Sequence, residues 1–129
     1  MKQETKIVKT VCFDFDGVIA KYEGWKGFDV LGEPNLAVIQ VINDLRLQGI
    51  YVIIWTTRPD TPILREWLKK NNVTYDSINS NSHNPPTTSS KPIYHAFVDD
   101  RAICYKGQNS QFLMDQVIAM VHSNHRLDQ

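Results

Sequence analysis

Cysteine is scarce in this sequence: Cys12 and Cys104 are the two among 129 residues. No CxxC pair and no alternation of Cys with His occurs, which argues against a structural zinc site. Net charge is lacking too, since 14 Lys and Arg face 14 Asp and Glu. A neutral chain has no general electrostatic pull toward nucleic acid, although a local basic patch is still compatible with it. No apolar run approaches the roughly 20 residues of a membrane span, and the opening Met-Lys-Gln-Glu-Thr-Lys has no signal-peptide core. The sequence therefore reads as cytoplasmic, with no membrane partner. It also has no internal repeat and no linker-like stretch. Residues 1–129 read as a single unit with one hydrophobic core.

What is present is an alternation of short apolar runs with amphipathic segments. Residues 7–15 are β-branched and aromatic and end in acidic residues, the pattern of a buried strand carrying carboxylates at its C-terminal end. Cys12 lies inside this run and is expected to be buried. Residues 17–32 are rich in Gly and aromatics (Tyr22, Trp25, Phe28) and read as a small flap. Pro34 is expected to open a helix, with Val38, Val41, Ile42 and Leu45 on its apolar face and Gly49 at its C-terminal cap. Residues 50–55 form a second strand. Thr61-Pro62 reads as a cap followed by Pro at the first helical position, and Ile63, Leu64, Trp67 and Leu68 supply that helix's core face. A short third strand near 75–78 leads into a polar loop at 79–90. Residues 94–98 form a fourth strand, 103–105 a short edge strand, and Ser110 caps a last helix with Leu113, Val117, Met120 and Val121 on one face. His122 and His125, near the end of the chain, read as a solvated helix end.

Strands alternating with helices predict an α/β, Rossmann-like fold: a parallel sheet flanked by helices, with no large cap domain. In such sheets ligands bind beyond the carboxyl ends of the strands. Asp14, Asp16, Thr56, Asp99 and Asp100 all fall there. Asp14 and Asp16, two apart, would lean to the same side of an extended strand. Carboxylates that close repel unless one is protonated or a cation lies between them. With Asp99 and Asp100 added, the oxygen-only donor set suits Mg²⁺. A carboxylate can also attack phosphorus, and a second one nearby can protonate the leaving oxygen and then activate water. The Thr56 hydroxyl could hold a phosphate oxygen, and Lys91 could offset charge on the transferring group.

Four segments, Phe13-Asp14-Phe15-Asp16-Gly17-Val18, Ile53-Ile54-Trp55-Thr56-Thr57-Arg58, Lys91 and Ala96-Phe97-Val98-Asp99-Asp100-Arg101, resemble the four motifs of the haloacid dehalogenase (HAD) superfamily, in the family's order. The resemblance implies Asp14 as nucleophile and Asp16 as general acid/base, with Asp at position 16 matching the family's phosphatase pattern. It implies that Thr56 binds phosphate, with Thr57 and Arg58 beside it, and that Lys91 is the cation of the third motif. Asp14, the Asp16 main-chain carbonyl, Asp99 and Asp100 would hold Mg²⁺, Asp100 aligning better with the direct ligand. Lys91 lies eight residues before Asp99, so one straight strand would start its ammonium about 23 Å from the site. The preceding loop must fold back if Lys91 is to act.

The resemblance thus implies a small, capless phosphatase acting on a phosphorylated metabolite such as a nucleotide or sugar phosphate. A neighbouring subunit in a homo-oligomer could supply the missing cap. A nucleic-acid end is the alternative substrate, disfavoured by the zero net charge, and a non-catalytic phosphate-binding or interaction protein is the other alternative. A receiver-type phosphoacceptor also combines acidic residues, Thr and Lys, but in a different order along the chain.

Overall fold

The structure, a computed structural model, describes residues 8–123; Ile7 at the start of the first expected strand and His125 lie outside them. Four parallel strands, β1 (Thr10–Phe13), β2 (Tyr51–Ile54), β3 (Ser77–Ile78) and β4 (Ala96–Val98), form one sheet in the order β3-β2-β1-β4. The helices are α1 (Leu36–Leu47), α2 (Pro62–Lys70) and α3 (Ser110–Ser123). This is the Rossmann-like α/β arrangement expected from the alternation, with no large cap among the described residues. No described helix is long and apolar enough to cross a membrane.

The register explains why so few strand residues suffice. Val11 pairs with Val52 and Phe13 with Ile54, while Ile54 pairs with Ile78. Alternation then puts Phe13, Val52, Ile54 and Ile78 on one face. They join Ile39 and Ile42 of α1 and Leu64 and Leu68 of α2 in the buried core. Cys12 and Ile53 occupy the opposite face and are also fully buried. Burial pushes the Cys12 thiol up to about 11, so it is held as an inert thiol.

Both helix caps foreseen around the second strand are present. The Thr61 hydroxyl accepts the Leu64 N–H, with Pro62 at the first helical position, and Gly49 has φ +80 just beyond α1. Other expectations change. Pro34 does not open α1: it bridges to Ala20, and Asn35 is the N-cap, because the chain first has to close the base of the 17–32 segment. Val41 and Ile63 are exposed, and Ile39 takes the place in the core expected of Val41. Asn109, not Ser110, caps α3 by accepting the Phe112 N–H. Residues 103–105 form no strand. Nothing on α3 is buried, and Val117 and Val121 of its expected core face are exposed.

The 17–32 segment contains no helix or long strand, yet its base is firmly closed. Phe15 C=O accepts the N–H groups of Val18, Ile19 and Ala20, a tight curl that Gly17 permits with φ +88. Lys21 N–H donates to Glu33 C=O, and the Trp67 indole donates to Gly32 C=O. At Gly32 a Cβ would lie 1.8 Å from the Lys21 carbonyl oxygen, so only glycine lets the two arms meet.

Candidate active site

Because β1 lies between β2 and β4, the residues that follow these three strands emerge side by side. Asp14 continues the ladder for one more bond, its N–H donating to Val98 C=O at 3.0 Å. The chain then turns, and the Phe15 N–H folds back onto Asp14 Oδ1 at 2.7 Å. Asp99 and Asp100 leave β4 alongside. Carboxylate oxygens of Asp14, Asp99 and Asp100 lie within 4.8 Å of one another, a group able to hold a metal ion. Arg101 faces them: its Nε stands 3.5 Å from Asp100 Oδ1, and its N–H donates to Asp99 Oδ1.

Three carboxylates against one guanidinium leave the cluster short of positive charge. The Asp14 carboxyl is shifted chiefly by its burial, with the neighbouring charges acting second. Burial pushes it up from 3.8 to about 6; the Phe15 N–H pulls it down, the charges of Asp99 and Asp100 push it further up, and Arg101 pulls it down. A divalent cation bound by oxygen donors would relieve both the burial and the mutual repulsion. The donor set therefore fits such an ion.

Asp16 is placed otherwise than two-residue spacing on a strand suggests. The strand ends at Phe13, so the curl at 15–20 carries the Asp16 side chain away from the acidic group. It is 8% exposed and meets Arg58 in a two-pronged ion pair, Nε to Oδ2 at 2.8 Å and Nη2 to Oδ1 at 3.1 Å. Arg58 is thus an ion-pair partner of Asp16. Asp14, Asp16, Tyr22, Trp25, Thr57, Asp99 and Arg101 line one cavity of about 310 Å³. Asp16 also borders a second cavity of about 390 Å³ beneath the 21–33 segment, where Lys21, Lys26 and Glu33 join Arg58.

Of the Thr pair, Thr57 reaches the cavity wall at Asp14, while Thr56 is partly buried and its Oγ1 accepts the Arg58 N–H at 3.1 Å. Lys91 is exposed in the loop before β4 and is not among the residues lining the cavity at Asp14. Its main-chain carbonyl accepts from Asn84 Nδ2, which ties the loop to itself.

Sequence reasoning treated Asn79 as ordinary loop, but it organises the second motif. Its Oδ1 accepts the Thr56 N–H at 2.8 Å and its Nδ2 donates to Arg58 C=O at 2.9 Å. Its φ of 56 is one that Asn tolerates better than most residues. The available signal was an Asn at the carboxyl end of a predicted strand. Asn79→Ala should lower stability in urea melts by about 2–4 kcal/mol, from two unpaired main-chain groups and a left-handed alanine. Asn79→Gly should recover about 1 kcal/mol of that, since only the strain is relieved. Equal losses in the two variants would mean that the positive φ costs nothing.

No protein-family model matches this chain, and no curated protein matches it. Solved structures do share its architecture. A conserved protein from Bacteroides thetaiotaomicron is 20% identical, with a TM-score of 0.61 over 88% of this chain and 91% of that one. A chain of the Pnkp1/Rnl/Hen1 RNA repair complex is also 20% identical, with a TM-score of 0.57 over 98% of this chain and 43% of that one. At these identities the likeness is one of fold: the chain shares its small parallel α/β architecture with both.

Proposed function

We propose that this protein is a Mg²⁺-dependent phosphomonoester hydrolase of the HAD type that works through a phosphoryl group carried on Asp14. The observation that carries the reading is the meeting of Asp14, Asp99 and Asp100 at the carboxyl ends of β1 and β4, with Asp16 on the wall of the same cavity. Fold likeness to a chain of an RNA repair complex is in keeping with phosphate-ester chemistry.

In this reading an Asp14 oxygen forms a bond to phosphorus as the bond from phosphorus to the leaving oxygen breaks. Asp16, which must leave the Arg58 fork to carry a proton, supplies the one that the leaving oxygen takes up. Asp16 then removes a proton from water, whose oxygen attacks phosphorus and releases phosphate from Asp14. Asp14, Asp99, Asp100 and the Asp16 main-chain carbonyl are the proposed Mg²⁺ ligands. The ion would offset charge on the carboxylates and on the phosphoryl oxygens. Thr57 and Thr56 are the proposed phosphate donors. Arg101, which already lines the cavity, takes the cationic role for which Lys91 was the sequence candidate.

The substrate is a small phosphorylated metabolite. Tyr22 and Trp25 on the cavity wall suit a ring-bearing leaving group, which favours a nucleotide. The metal-stripped protein should release no phosphate from an aryl phosphate until Mg²⁺ is added. Equal rates in excess chelator would sink the proposal. A nucleoside monophosphate should be hydrolysed faster than the phosphorylated end of an oligonucleotide; the reverse order would support the nucleic-acid-end reading that the RNA-repair neighbour brings to mind.

A further inference from the structure

The apolar residues of α3 divide between two stripes. Leu113, Gln116 and Met120 are half-buried and mark the side on which the helix rests against its own chain. Met114, Val117, Ile118 and Val121, spaced i, i+3, i+4, i+7, lie about a third of a turn further round. They are 38–64% exposed. Asp115 is the one carboxylate on α3, and the helix has no Lys or Arg. A two-turn apolar seam in water is a packing face without its partner. The six residues that follow α3 bring one apolar side chain, Leu127, too little to cover it.

We propose that this stripe is the contact through which two copies of the chain pair, α3 lying antiparallel to α3 of the second copy about a two-fold axis. The stripe is symmetric about its own centre. An axis between Val117 and Ile118 sets Met114 against the second copy's Val121, and Val117 against its Ile118, so each apolar side chain meets another. A two-fold contact needs a face complementary to itself, and an uncharged apolar one qualifies. Two chains of zero net charge also approach without long-range repulsion. The stripe exposes roughly 400 Å², most of the apolar share, about 60%, of the about 800 Å² that each partner of a stable pair buries. Gln111, hydrogen-bonded to Asp115, borders the stripe and begins its polar rim. No α3 residue is among those lining the cavity at Asp14, so the pairing is separate from that site and does not rest on its activity.

Sedimentation velocity of the full chain from about 1 to about 100 µM should pass from the mass of one copy to that of two and stop there. Ile118→Asp, which sets a carboxylate from each copy at the centre of the contact, should weaken pairing at least about 100-fold. Ile118 is itself exposed, so the single copy should keep its circular dichroism spectrum; Val121→Asp takes its place if it does not fold. Phe112→Asp is the control. Phe112 is exposed on the other side of α3, and its removal should change the pairing constant less than about twofold. Cross-linking reads the direction, in a Cys104→Ser background because Cys104 is the exposed native thiol. Met114→Cys and Val121→Cys proteins, mixed and oxidised, should cross-link at least about fivefold more than either alone. A single-copy mass at about 100 µM, growth beyond two copies, or pairing lost in Phe112→Asp and kept in Ile118→Asp would each overturn the proposal. Like-with-like cross-links exceeding the mixed ones would overturn the antiparallel arrangement.

Discussion

Asp14→Asn is expected to lower phosphate release by at least about 10⁴-fold, the scale seen when a covalent nucleophile is removed, while making the metal-free protein more stable at pH 7.5. The two effects have one cause. Asp14 is partly buried beside Asp99 and Asp100, and its carboxyl is pushed up to about 6. A folded-state value above the unfolded one means that the group favours the fold most below about 3.8, where it is protonated in both states. That contribution is lost as pH rises through about 6. At pH 7.5 the ionised Asp14 therefore opposes folding of the metal-free protein. The amide is uncharged, nearly the same shape, and still able to accept the Phe15 N–H. A rise in melting temperature of roughly 3–8 °C is expected at pH 7.5, shrinking toward zero at pH 4. Thermal melts at the two pH values, beside a phosphate-release assay, measure both halves. Residual activity near the parent's would rule out Asp14 as nucleophile. A variant less stable than the parent at pH 7.5 would show that burial of the Asp14 charge and its repulsion by Asp99 and Asp100 do not govern the site.

Mg²⁺ should stabilise the protein, and more strongly at pH 7.5 than at pH 5. A ligand at about 100 times its Kd contributes about 2.7 kcal/mol to the folded state. Metal ligands must be deprotonated, so at pH 5 the ion competes with a proton on Asp14, whose carboxyl lies near 6. One pH unit below that value weakens apparent affinity about tenfold, or about 1.4 kcal/mol. Melting temperatures across an MgCl₂ titration at both pH values give the two apparent Kd values. Asp100→Asn should flatten the titration at either pH. An identical Mg²⁺ response at pH 5 and pH 7.5 would place the ion away from Asp14.

These two expectations depend on features that differ in how readily they can be read along the chain. Asp14 and the Asp99-Asp100 pair could be brought together from sequence because each ends an apolar run, and parallel strands deliver their carboxyl ends to one edge. The Thr61-Pro62 start of α2 is a local signal and holds locally. Pro34 and Ser110 were misplaced by one or two residues because closing the flap base and the Asn109 side chain each shifted a helix start. The exposed face of α3 could not be foreseen from apolar spacing, which says that a face is apolar and not what covers it.

Asp16 marks the boundary most clearly. Its presence two residues after Asp14 belongs to the sequence, as does the residue type that acid/base chemistry needs. Its direction does not. The strand ends at Phe13, the chain curls through Gly17, and an arginine 42 residues further on takes both carboxylate oxygens. The sequence by itself determined a parallel α/β sheet with acidic residues at its carboxyl edge, since periodicity and strand-end chemistry are local properties. Only the tertiary structure decided which of those acids cluster, which one is held by Arg58, and that Arg101 rather than Lys91 lines the cavity. Those choices turn on where side chains far apart in sequence meet, and buried charge is satisfied by whichever partner the packing brings within reach.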